Sequence, residues 1–376
     1  MQKRAFIFGG VFALLVIGLV VAFFVINAQH KPEKTVEIFN EAIADKDMSS
    51  LKEIIKPDKN EAQVNKASLT AFINYLNKNS ESHQVIKEEF KKQIADDDFL
   101  TPTAQASLIL DGKTLGMFPD YKVQIKTVNI KAKGVEEDDK LSLGVEGFKE
   151  QIREVEEEKN LYGPLIPGEY EINATLKNDL GNFTEKDKTD VWGDSEVSFL
   201  LDDEKLAEND KEIQKALIAT TNEFNESMSM FLASGFDEKE FKNVTDDLKK
   251  SLGSASFEFE LIKDYIEEIE SKFTKSIVDM DEITLSHFDG KWSAEITMLV
   301  SYEEKLKLED TPAEDLSYSE LRKYNLKYDT EKKQWIINDI QGEETEDSEA
   351  DDWENKQEID MKNSKKHIWK EEDSFI

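Results

Sequence analysis

The chain has 376 residues, 39% of them hydrophobic and 34% charged, with a formal net charge of −33. A surface this acidic repels the phosphates of DNA, RNA and anionic lipid, so no nucleic-acid partner is expected. There is no cysteine, which excludes disulfides, Cys-ligated zinc, iron–sulfur clusters and thiol catalysis. A large exported chain without disulfides fits a bacterium.

Residues 5–26 carry no charge and are almost all apolar. As a helix they cross a hydrocarbon core of roughly 30 Å. We therefore assign residues 1–4 to a cytoplasmic stub and 5–28 to a transmembrane helix. Lys3 and Arg4 precede the span, while Lys31 and Lys34 are diluted by Glu33 and Glu37. Positive-inside bias then puts the N-terminus in the cytoplasm and the bulk of the chain outside, as a single-pass protein of the cell membrane. The competing reading is a signal peptide cleaved near Ile26-Asn27-Ala28; the run exceeds the usual apolar length of such peptides.

Residues 32–101 read as a small helical module. Val36, Phe39 and Ile43 fall at helical spacing, followed by Met48, Leu51, Ile54 and Ile55 with Pro57 as a stop. A third helix, capped by Asn65 or Ser68, carries Leu69, Phe72, Ile73 and Leu76. A fourth carries Val85, Ile86, Phe90 and Ile94. Such short helices require mutual packing.

Residues 102–162 read as a β-rich module. Ala106, Leu108 and Leu110 alternate, Asp111-Gly112 signals a hairpin, and Tyr121, Val123 and Ile125 alternate again, as do Leu141, Leu143 and Val145. Phe148, Ile152 and Val155 predict a charged helix over 148–159. Gly163-Pro164-Leu165-Ile166-Pro167-Gly168 forbids helix. It opens a second small β module, 163–203, with strands at Tyr170–Leu176 and Glu196–Leu201.

Residues 204–341 return to helix. Ile213, Leu217, Thr220, Phe224, Met228 and Phe231 define a long amphipathic helix. Phe241, Val244 and Leu248 predict a second, and Leu261, Ile262, Tyr265, Ile266 and Ile269 a third. Strands follow at Ile283–Leu285, Trp292–Tyr302, Tyr324–Tyr328 and Trp335–Ile337, an α+β layout with a curved sheet wrapping a long helix. Residues 342–376, dense in carboxylates, predict a disordered acidic tail.

The order of these segments carries a resemblance. A lone N-terminal span is followed by a helical module and by β modules around Gly163-Pro164-Leu165-Ile166-Pro167-Gly168-Glu169-Tyr170-Glu171-Ile172. The helix-then-sheet end closes with Tyr324-Asn325-Leu326-Lys327-Tyr328 and Trp335-Ile336-Ile337-Asn338-Asp339-Ile340. Together these resemble the TcaA/YvbJ-like membrane proteins of Gram-positive bacteria, over roughly residues 5–341. The last segment also resembles the cone-shaped nuclear-transport-factor-two-like fold. The resemblance implies a multidomain α+β cell-envelope protein with a link to glycopeptide-antibiotic response, and it implies no enzyme. Members of the family usually carry a cytoplasmic zinc ribbon before the span. Here only Met1–Arg4 precede it, so functions of that ribbon are not expected.

No catalytic, cofactor or metal motif emerges. The histidines (His30, His83, His287, His367) lack ligand spacing, Gly112-Lys113-Thr114 lacks the upstream glycine of a phosphate loop, and there is no GxSxG elbow. The acidic runs lack calcium-loop spacing. Trp292 and Tyr302 share a face with Ile296 and Val300 and read as core. The ligand-surface candidates are Tyr324, Tyr328 and Trp335, whose rings suit sugar or peptide stacking, and His287 beside the Asp289-Gly290 turn. The favoured function is non-catalytic binding of a cell-wall polymer or an envelope protein partner. The alternatives are a small-ligand or catalytic cone, and a sensor subunit of a membrane complex.

Overall fold

The computed structural model describes residues 27–371, apart from 115, 157, 362 and 363. The stub and all but the end of the expected transmembrane helix lie outside the described residues, among which no helix is long and apolar enough to cross a membrane. The chain divides into two compact units. One holds the helical module and most of both β modules. The other runs from Asp202 onward and also takes in Glu136–Asp138 and the hairpin tip Lys177–Phe183.

In the first unit, α1 (Pro32–Asp45), α2 (Met48–Ile54), α3 (Lys66–Lys78) and α4 (Ser80–Asp96) follow the apolar spacing. Asn65 caps α3 through a reciprocal capping box with Ser68, whose amide donates to Asn65 Oδ1 at 3.0 Å. The four helices bury Phe39, Leu51, Phe72 and Phe90 in one core, where the Phe39 and Phe90 rings meet edge to face at 5.3 Å. This core rests on a sheet ordered β1-β3-β2, from Ile55–Pro57, Phe118–Ile125 and Ala106–Thr114.

Two further three-stranded sheets complete the unit. One is ordered β6-β4-β9 (Leu161–Leu165, Val128–Lys133, Glu196–Leu200), the other β5-β7-β8 (Lys140–Val145, Gly168–Lys177, Asn182–Val191). Sequence reading did not place β8, because Asn-Phe-Thr-Glu-Lys-Asp-Lys-Thr-Asp-Val is polar and forms an exposed edge strand. The expected helix over 148–159 does not form. Ile152 bridges Leu143 and Glu154 bridges Tyr162, so neighbouring strands claim its backbone. Gly168 allows α3 to approach β7: a Cβ there would stand 2.6 Å from the Ala71 carbonyl carbon.

The second unit opens with α5 (Asp203–Glu208) and the 23-residue helix α6 (Lys211–Ala233). Short helices α7 (Asp246–Gly253) and α8 (Ala255–Ile262) follow, with a 3₁₀ turn at Lys263–Tyr265. The sheet is ordered β15-β14-β12-β10-β16. Its strands are β10 (Ile266–Asp279), β12 (Lys291–Leu308), β14 (Tyr318–Asp329), β15 (Gln334–Thr345) and β16 (Lys356–Asp360). β11 (Thr284–Phe288) and β13 (Glu314–Asp315) pair with β12, and β17 (His367–Lys370) with β10.

Two expectations fail here. Ile266 and Ile269 lie in β10, opposite Leu308 and Leu306, not in a third helix. A bulge between Ile266 and Glu268 breaks the alternation and leaves apolar residues three apart, which imitates a helical period. Phe241 and Val244 precede α7, and Val244 bridges Ile337 on the β15 edge instead.

The third failure concerns the tail, whose described residues include two strands. β15 extends to Thr345, and β16 and β17 hydrogen-bond in turn along β10. Ala350 and Trp353 pack on Ile277 and Leu299, while Trp369 packs on Phe259 and Ile266. The open edge of β10 satisfies the tail's backbone. Lys275 meets Glu358 at 3.0 Å, and Lys366 meets Glu270 at 2.8 Å. Charge density alone could not reveal these anchors.

Candidate functional site

The cone interior of the second unit is filled. Phe224 from α6 stacks on Phe241 and meets Tyr324 edge to face, with Met298 and Trp292 buried beside the sheet. Trp292 and Tyr302 are core, as expected. Among these rings lies a polar cluster that sequence reading did not foresee. Asn225 Oδ1 accepts from Tyr324 Oη at 2.7 Å, Arg322 Nη1 at 2.8 Å and Tyr302 Oη at 3.1 Å. Arg322 also donates to Glu320 through Nε at 2.8 Å and Nη2 at 2.6 Å. Burial pushes the Tyr302 and Tyr324 phenols upward, outweighing the opposing Arg322 charge, so both remain hydrogen-bond donors at physiological pH.

Tyr324 was expected on a ligand surface, but its ring and hydroxyl are locked in this interior network. Strand alternation puts it on the same side as Leu326, facing α6. His287 is likewise not a surface ligand group. Its ring is 5% exposed, with Nδ1 2.7 Å from Asp203 Oδ2, and it stacks on Trp292 at 4.2 Å. The same helix shields the edge strand: Glu208 and Glu204 accept from the Leu285 and His287 amides at 3.0 and 2.8 Å. Asp203 and Glu204 are the partners sequence reading missed, because they lie 84 and 83 residues away along the chain.

Tyr328 and Trp335 are brought together, but Trp335 is buried to 3% exposure and only Tyr328 is partly exposed. They face each other across the β14–β15 hairpin, in register, with ring centroids 5.2 Å apart at 61°. Asp329 closes that turn by accepting from the Glu331 and Lys332 amides, both at 3.0 Å. The two rings line a cleft of ≈ 290 Å³ with Phe183, Asp210, Glu212 and Lys333. Asp210 is the N-cap of α6, accepting from the Glu212 and Ile213 amides at 2.9 and 3.1 Å. The opposite wall is the tight turn of the β7–β8 hairpin, where Asn178 Oδ1 accepts from the Leu180 and Gly181 amides. Desolvation, with the nearby Asp179 charge, raises the Tyr328 phenol above its ordinary value.

The cleft thus joins the half-buried Tyr328 ring, backed by the buried Trp335, to carboxylates on one rim and a lysine beside the turn. That combination suits stacking on a sugar ring or an apolar side chain, with an amine held by the carboxylates. Asp210 was legible as a helix-start signal before Ile213. Phe183 and Asn182 were not, because only the hairpin brings them here.

This architecture defines a two-unit α+β protein whose second unit has a helix-and-curved-sheet domain of the NTF2-like kind. Residues 217–341 match the family model of the YvbJ NTF2-like domain, and residues 32–125 match the TcaA protein second domain. Both matches support a TcaA/YvbJ-like family for this chain. It is 27% identical over 173 residues to the "Uncharacterized membrane protein YvbJ" of Bacillus subtilis (strain 168). That alignment covers 45% of this chain and 26% of the relative, so the chain matches about a quarter of that protein's length. Strands β16 and β17 lie beyond the NTF2-like match.

Proposed function

We propose that this is a membrane-associated, non-catalytic protein of the cell envelope. In this reading its Tyr328–Trp335 cleft binds a sugar or peptide segment of the cell wall, or of an envelope partner. Through that contact it influences susceptibility to glycopeptide antibiotics. The observation that carries the reading is the cleft itself, two aromatic rings flanked by Asp210, Glu212 and Lys333. The apolar run at residues 5–26, the membrane protein among its relatives and the TcaA second-domain match support the envelope setting. The filled cone favours recognition on the outside of the domain over a ligand held within it.

The test is retention of the detergent-solubilised full chain on purified Gram-positive cell wall, with and without its teichoic acid, beside an acidic non-binding control. Retention above the control that falls about tenfold in Tyr328→Ala supports the reading, since loss of one stacking ring costs about 1.4 kcal/mol. Equal retention of wild type and Tyr328→Ala, or none for either, refutes the assignment of the cleft to a cell-wall ligand.

A further inference from the structure

Among the described residues, helix α8 has an apolar face with no partner. It buries Phe259, while Phe257, Leu261 and Tyr265 stand 71%, 66% and 67% exposed. Phe257 and Leu261, four residues apart, share one stripe of the helix, and Tyr265 follows in the 3₁₀ turn. Ile262 and Leu316 extend the stripe around a cavity of ≈ 280 Å³ floored by Phe259, Ile266 and Leu306. The Glu309 amide donates to the Tyr265 carbonyl at 3.1 Å, which draws Leu308 into the same patch. Scattered exposed apolar residues are ordinary, but a contiguous patch beside a cavity marks an interaction site.

We propose that this face pairs with the same face of a second copy of the chain, making a two-fold dimer. The exposed fractions of Phe257, Leu261, Ile262, Tyr265, Leu308 and Leu316 amount to about 600 Å² per copy, so a pair buries on the order of 1,200 Å², where stable interfaces begin. The surface offers both a projecting ring and a hole, as a self-complementary interface requires. Two-fold packing seats Phe257 of one copy in the cavity of the other.

The rim charges agree. Lys263 pairs with Glu260 at 2.7 Å and Lys307 pairs with Glu267, so much of the rim is neutralised within each copy. Two copies of a chain with net charge −33 meet least repulsion at such a place. A membrane of anionic lipid fits worse, because Glu258, Glu260 and Asp264 flank the stripe.

The test is sedimentation equilibrium of the full chain in a density-matched detergent. The expected mass is twice 43.1 kDa, at protein concentrations of about 10 μM. Phe257→Asp combined with Leu261→Asp should raise the dimer dissociation constant at least about a hundredfold while leaving the far-UV circular dichroism of the folded chain unchanged, because both side chains face solvent within one copy. A wild type that stays monomeric overturns the proposal. So does a dimer that survives the double substitution. A monomer that retains a different protein, or lipid vesicles, through Phe257 and Leu261 also overturns it and reassigns the face.

Discussion

The Arg322 cluster makes a sharp prediction for the second unit. Arg322→Met keeps the apolar stem and removes the guanidinium. The loss covers two bonds to Glu320, at 2.8 and 2.6 Å, one to Asn225 at 2.8 Å and one to Tyr302 at 2.9 Å. Asn225 Oδ1 is not orphaned, because the Tyr324 and Tyr302 hydroxyls still donate to it. Glu320 is the group left bare, and at 21% exposure it can partly rehydrate. Breaking a buried pair costs roughly 3–5 kcal/mol, and partial rehydration puts this case near the lower end, about 3 kcal/mol. With a urea slope of about 2 kcal/mol per molar, the midpoint should fall by about 1.5 M. Tryptophan fluorescence during urea unfolding at pH 7 reads this directly, since Trp292, Trp335, Trp353 and Trp369 all lie in this unit. Arg322→Lys should recover little, because an ammonium cannot reproduce the planar fork. An unchanged midpoint in Arg322→Met, or full rescue by lysine, would refute the argument that the fork organises the interior.

Other outcomes follow from the same geometry. Gly168→Ala should destabilise the first unit by about 2 kcal/mol, read as a lower melting temperature, because its Cβ would collide with the Ala71 backbone. Asn65→Ala should cost about 1 kcal/mol by removing one side of the α3 capping box. Asp203→Asn should lower stability by about 1–2 kcal/mol, because the partly buried carboxylate partner of His287 is replaced by an amide. Desolvation raises the Glu304 carboxyl, outweighing the Ser271 hydrogen bond and the Arg322 charge. A raised folded value means stability that is full at acid pH and lost as pH rises through it. Glu304→Gln should therefore match wild type below about pH 4 and exceed it at pH 7; a constant difference across pH scans would exclude this cause.

What was readable before any coordinates were in hand was whatever local periodicity encodes. The helices of 32–96, the long α6, and the strand segments 292–302 and 324–328 carry a 3.6- or 2-residue apolar pattern, and each formed where that pattern lies. Burial of Trp292 and Tyr302 followed from the same alternation.

Tertiary structure decided everything that depends on a distant partner. Ile266 and Ile269 became strand because Leu308 and Leu306 stand opposite them. The acidic tail became two strands because β10 had an open edge and Trp369 a place against Phe259. Tyr324 and Tyr328 lie four residues apart on one strand, yet the first is sealed beneath α6 while the second reaches a cleft closed by a hairpin tip some 150 residues earlier in the chain. Side-chain alternation is a local property of the backbone, whereas burial is set by which other surface arrives, and only the folded chain brings that surface.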